Sequence, residues 1–176
     1  MWSGMARPSL IKPIPTPSIS ITSPKQRNLN EKGKELAKAF GDAIRQVGIP
    51  VGEVYTSNFN RAFETAVLAG FKDIEKTTDL TEGGLVVSPD ENSRRAAALR
   101  KMLAQMPQKG KNTFLITHKP NIIDALGKDW FDVKEGEASI FKPEDGKHRL
   151  VARWLPSSRG ALTEAAGVVF AAPPAS

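Results

Sequence analysis

The run Thr113-Phe114-Leu115-Ile116-Thr117 places the tightest constraint on how this chain can fold. It is too short for a stable helix. Apolar side chains at consecutive positions leave neither face of a strand for water, so the run predicts a buried strand of the kind found in parallel sheets, covered on both sides. The flanking pattern supplies the covers. From Asn30, an expected N-cap, apolar residues fall at Leu36, Ala37, Phe40, Ala43, Ile44 and Val47, a helical spacing that Gly48 and Pro50 close. Val51 to Thr56 predicts a strand, and Asn58 is placed to cap a second helix through Arg61, Thr65, Ala66 and Leu68. A third helix after Pro89 carries Leu99, Met102, Leu103 and Met106 on one face until Pro107, and Pro120 opens a short fourth through Ile122, Ile123 and Leu126. Ala138 to Phe141 and Arg149 to Trp154, joined across Pro143-Glu144-Asp145-Gly146, predict a hairpin. Strands alternating with helices predict an α/β fold in which a mixed, mostly parallel sheet lies between helix layers.

The two ends differ from this middle. Residues 1–24 hold Pro8, Pro13, Pro15, Pro17 and Pro24, which forbid a helix, and read as an extended arm whose one ordered candidate is the alternating Ser18-Ile19-Ser20-Ile21-Thr22. Residues 156–176 read as a weakly structured tail of small residues. The expected domain is therefore 25–155. Its size and the 40% hydrophobic content suit one core. With no cysteine, disulfides and thiolate chemistry are excluded; the two histidines, His118 and His148, argue against a multi-histidine metal cage, and no metal or cofactor is expected. No apolar run is long enough to span a membrane, and no signal peptide is readable, so a soluble protein of open compartment is expected.

Two segments stand just past predicted strands, where open α/β sheets place their ligands. In Thr56-Ser57-Asn58-Phe59-Asn60-Arg61, the guanidinium of Arg61 falls in a first helical turn, where backbone N–H groups already favour an anion. In Thr117-His118-Lys119-Pro120-Asn121, an imidazole ends the apolar strand. Together they describe an oxyanion pocket. Singly, each has an ordinary reading: Arg61 as a solvated helix residue or a partner of Glu64, His118 as a satisfied loop histidine. His148 is expected in the hairpin turn, at the surface. The net charge of +6 favours anionic partners. Nucleic acid is the weakest of these, because the basic residues are dispersed and no stacking platform accompanies them.

In combination these residues resemble a family. Arg27-Asn28-Leu29 leading to Glu31-Lys32-Gly33-Lys34-Glu35-Leu36-Ala37, then Ser57-x-x-x-Arg61-Ala62-x-x-Thr65-Ala66, then Thr117-His118-x-x-Asn121, look like the histidine phosphatase, or phosphoglycerate-mutase-like, superfamily. The resemblance runs from about Lys25 to Trp154. It implies a three-layer sandwich and phosphoryl transfer through a phosphohistidine without a metal, on a phosphomonoester or a phosphohistidine. By position, Arg61 and Arg27 resemble phosphate-binding arginines, and His118 resembles the second catalytic histidine, which hydrogen-bonds the phosphoryl oxygens. The general acid stays open between Glu82 and Glu137.

One departure is large. The family's nucleophile lies in an Arg-His-Gly signature ending the first, central strand, upstream of the part matching Arg27 to Ala37, and residues 1–24 contain no histidine. The resemblance therefore implies a phosphatase-like protein that is catalytically impaired, with its first central strand missing or replaced, and Ile19 and Ile21 as partial fillers. Two origins are compatible with this: a pseudoenzyme that keeps an anion pocket, or a displaced or frame-shifted start. The alternative function is a non-catalytic module binding a phosphorylated small molecule or phosphoprotein.

Overall fold

A computed structural model describes residues 28–83, 87–134 and 136–155, together with the backbone of 167–171. Helix α1 (Glu31–Val47) starts where the Asn30 side chain accepts the Gly33 N–H at 2.7 Å and ends at Gly48, whose φ of 73° is the left-handed cap that glycine adopts without strain. Strand β1 (Val51–Ser57) follows, then α2 (Asn60–Leu68), β2 (Ile74–Thr77), a 3-10 turn at Thr78–Leu80, α3 (Pro89–Ala104), β3 (Asn112–Thr117) and α4 (Lys119–Leu126). After a second 3-10 turn at Lys128–Trp130 come β4 (Ala138–Glu144), β5 (Lys147–Trp154) and β6 (Gly167–Ala171).

The six strands form one sheet in the order β2-β1-β3-β6-β4-β5. The β2, β1 and β3 strands are parallel, β6 runs antiparallel to β3 and parallel to β4, and β5 returns antiparallel along β4. Side chains alternate across it as the pleat requires. Phe114 and Ile116 of β3 join Val54 of β1 against Phe40 and Ile44 of α1 and Ala62 and Ala66 of α2, while Leu115 faces Leu99 and Leu103 of α3 and Ile122 of α4. The apolar run is thus covered on both faces, and the chain is the expected α/β sandwich.

Helices α1 and α2 approach so closely that a Cβ on Gly41 would lie 2.0 Å from the Ala69 carbonyl oxygen. Backbone cannot swing aside as a side-chain tip can. Gly41→Ala is expected to destabilise the fold by about 1–3 kcal/mol or more through overpacking, read as a lowered denaturant midpoint; an unchanged midpoint would mean the helices are free to separate.

Several expectations are corrected. Phe59, not Asn58, is the N-cap of α2, because the Asn58 amide is drawn to Thr78 Oγ1 at 3.0 Å. Helix α3 ends at Ala104, leaving Met106 56% exposed and outside the core face. The hairpin turns at Asp145 and Gly146, whose φ values of 49° and 72° fit a two-residue primed turn. His148 therefore sits in β5 opposite Pro143, half-buried with its ring edge-on to Phe141, and not in a surface turn. The central place beside β3 is filled by β6. Ser18 to Thr22, the expected filler, and Arg27 lie outside the described residues.

Candidate functional site

β1 and β3 are parallel neighbours with Thr56 opposite Ile116, so the residues that follow them emerge side by side at the carboxyl edge of the sheet. Ser57 closes β1 and His118 follows β3; both are buried. The Ser57 hydroxyl lies 2.6 Å from His118 Nε2, and the Nε–H of Arg61, on the first turn of α2, donates to His118 Nδ1 at 3.1 Å. The second guanidinium nitrogen of Arg61 donates to Glu82 at 2.6 Å.

These contacts fix the state of the imidazole. Burial, and next the positive charge of Arg61, push the His118 pKa down to about 3, so the ring is neutral at physiological pH. Since Nδ1 accepts from Arg61, a neutral ring must carry its proton on Nε2 and donate it to Ser57 Oγ. Ser57 also accepts the Phe59 N–H at 3.2 Å. The direction of the Nε2–H bond means that His118 is not placed to take a proton from Ser57. It also means that neither ring nitrogen offers a spare lone pair for attack on phosphorus.

A polar scaffold holds the segment carrying Glu82 against this pair. Thr117 Oγ1 donates to the Leu80 carbonyl at 2.7 Å and accepts from Asn121 Nδ2 at 2.9 Å, and Asn121 reaches the Asp79 carbonyl at 3.2 Å. The Asn58 N–H donates to Thr81 Oγ1 at 2.9 Å, and Arg95 donates to the Thr81 carbonyl at 2.8 Å. Thr81 and its neighbours are thereby tied to both strand ends, which delivers Glu82 to Arg61. Thr117, Asn121 and Thr81 were not singled out as partners by sequence reasoning, although the four-residue step from Thr117 to Asn121 flanks His118 and is a readable signal.

Of the two candidate acids, Glu82 touches Arg61. Glu137 precedes β4 at the same edge of the sheet, two strands over from β3, where both its oxygens are engaged by Arg153, one at 3.1 Å, and where it accepts the Lys134 N–H at 3.1 Å. Arg61 faces His118 and Glu82 rather than Glu64, whose carboxylate accepts the Leu29 N–H at 3.3 Å. Helices α2 and α4 both begin here without a side-chain cap, so two positive dipole ends add to the guanidinium. The Phe59 ring lies 5.1 Å from the imidazole and 5.2 Å from the guanidinium carbon, walling one side. Among the described residues no cluster of His, Asp or Glu fits a metal ion, and no helix is long and apolar enough to cross a membrane.

A sheet with helices on both faces, with a guanidinium and a neutral imidazole meeting at the carboxyl ends of parallel strands, defines an α/β sandwich protein whose site suits an oxyanion. Residues 20–87 match the family model described as histidine phosphatase superfamily, branch 1. The match includes Arg61 and Glu82 and ends before His118. The comparison with curated proteins finds no match. Members of the superfamily act on phosphorylated substrates.

Proposed function

We propose that this chain binds the phosphoryl group of a phosphorylated small molecule or phosphoprotein at the Arg61–His118 pair and does not turn it over through a phosphohistidine. The observation that carries the reading is the Arg61 Nε to His118 Nδ1 contact of 3.1 Å. It holds the Arg61 cation in place against a neutral imidazole, at an edge where two helix N-termini also favour negative charge. Arg61 neutralises the phosphoryl oxygens, while His118, held at Nε2 by Ser57 and at Nδ1 by Arg61, and Glu82 orient the guanidinium. Arg27 is proposed as a further phosphate contact on the resemblance alone.

The reading as an impaired protein rests on the histidine count. His118 and His148 are the only two; His118 is committed to Arg61 and Ser57, and His148 lies on β5 against Phe141, so no imidazole remains to accept the phosphoryl group. Glu82 is then a positioning carboxylate in this chain, in the place where a proton donor would serve an active relative.

Orthovanadate titration tests the binding half. Arg61→Ala is expected to weaken vanadate binding by roughly 1.5–3 kcal/mol, or about 10- to 150-fold, because a charged, bidentate-capable donor is lost. Equal binding by wild type and variant would remove the pocket from consideration. For the second half, an aryl phosphate should yield phosphate only at the background rate. A trapped phosphohistidine at His118 would show that the Arg61 contact opens during turnover and that the chain is an active enzyme.

A further inference from the structure

The cleft between the C-terminal half of α3 and the β4–β5 turn lies at the other end of the sheet. Helix α3 finishes at Ala104 shortly before β3 begins at Asn112, and β4 runs opposite to β3, so the turn at Asp145 and Gly146 stands at the amino edge of β3 while His118 stands at its carboxyl edge. The cleft encloses about 500 Å³ and is lined by Arg100, Lys101, Ala104, Gly146, Lys147 and His148. We infer that this cleft is a second anion site, built for a compact, multiply charged phosphate compound.

No carboxylate lines it. Among the described residues the cations of Arg61, Arg94, Arg95 and Arg153 each face a carboxylate, but no ion pair reaches Arg100, Lys101 or Lys147. Glu144, the hairpin carboxylate before the turn, is held by Lys142 at 3.1 Å and Arg149 at 3.2 Å. Like charges gathered in one concavity repel one another, and a bound anion relieves that repulsion.

The lining is also preorganised. Arg100 donates to the Ala125 carbonyl at 3.0 Å and the Asp124 carbonyl at 3.5 Å, so the C-terminal end of α4 holds its guanidinium in place. The Phe141 ring packs edge-on against the His148 imidazole at 5.5 Å. Ala104 and Gly146 add little bulk. A fixed fork, two flexible ammonium groups and a ring N–H arriving from two elements suit several phosphate oxygens presented close together. A cavity of this volume is of small-molecule size. A polynucleotide would need a basic stripe instead.

Inorganic pyrophosphate is the probe, titrated into full-length Arg61→Ala protein so that the first site does not contribute. The expected result is saturable binding with a shift of the His148 ring resonances. Lys101→Gln combined with Lys147→Gln should lower affinity by about tenfold or more. Replacing both by Arg should preserve it, and Lys38→Gln, on the exposed side of α1, should not matter. A static His148 signal, undiminished binding by the double Gln variant, or an equal loss in Lys38→Gln would overturn the inference. So would an oligonucleotide that needs these lysines while pyrophosphate leaves His148 unmoved. None of these outcomes bears on vanadate binding by the wild-type Arg61–His118 pair.

Discussion

Acidification from pH 6.5 to 5 is expected to destabilise the protein steeply, and His118 is the cause. An unfolded histidine titrates near pH 6.5, whereas burial and the Arg61 charge hold His118 down to about 3 in the fold. Between those values the unfolded chain binds a proton that the folded one refuses. The stabilising contribution is therefore complete above pH 6.5, falls as pH drops, and is exhausted near pH 3, with a slope of about 1.4 kcal/mol per pH unit. Glu31, Glu91 and Glu144 are all shifted down by their cationic partners, so what they contribute is lost as pH falls from the ordinary carboxylate value toward their lowered ones, which leaves most of the pH 5 to 6.5 window to the histidines. His148 is lowered too, by burial and Arg100, but it is less buried. Urea midpoints across that window should fall for wild type and for His148→Gln, and fall distinctly less for His118→Gln, where only His148 still contributes. If His118→Gln keeps the wild-type slope, or if the His118 ring signal shows protonation at pH 5, the neutral buried imidazole is wrong. The ring signal decides the matter even where the variant folds poorly.

That imidazole illustrates how far the sequence reaches. His118 and Arg61 are legible because His118 directly follows one predicted strand and Arg61 falls in the first turn of the helix after another, and neighbouring parallel strands bring such positions together at one edge. Their direct contact was not legible, since it depends on the side-chain direction of Arg61 and on Glu82. Glu82 arrives through Thr78–Leu80 and Thr81, whose polar side chains carry no periodic signal and find partners only in three dimensions. The strand Ile74–Thr77 is illegible in the sequence for a related reason. It is an edge strand of alternating charge, Ile-Glu-Lys-Thr, whose middle residues face water, so no hydrophobic pattern marks it. Glu137 shows the converse: its proximity to a strand start in the sequence is real, but Arg153 on β5 claims both its oxygens.

The strand at Gly167–Ala171 carries no readable pattern, because Gly-Val-Val-Phe-Ala is embedded in a stretch of small residues with no alternation, yet it takes the position that the chemistry of a sheet protects most. It pairs with β3 from Thr113 opposite Ala171 to Thr117 opposite Gly167, and with β4 from Ala138 opposite Val168 to Phe141 opposite Ala171. A chain ending at Leu155 would expose both ladders at once. Their side chains sit in the core: Phe114, Leu115, Ile116, Ala138 and Phe141 are all buried, so the orphaned backbone groups would be partly shut away from water. Each buried group left unpaired costs about 1–3 kcal/mol, and several of them together reach the roughly 5–15 kcal/mol by which a whole domain is stable. The truncated chain is therefore expected to lose cooperative unfolding and to be digested throughout by a protease that cuts the full chain only locally. Adding back a peptide of residues 160–176 should restore some protection, because the ladders it completes are templates open on both sides. If the chain ending at Leu155 unfolds at the same denaturant midpoint as the full protein, β6 is dispensable, and the two halves of the sheet hold together through α3, which contacts β4 and β5 directly.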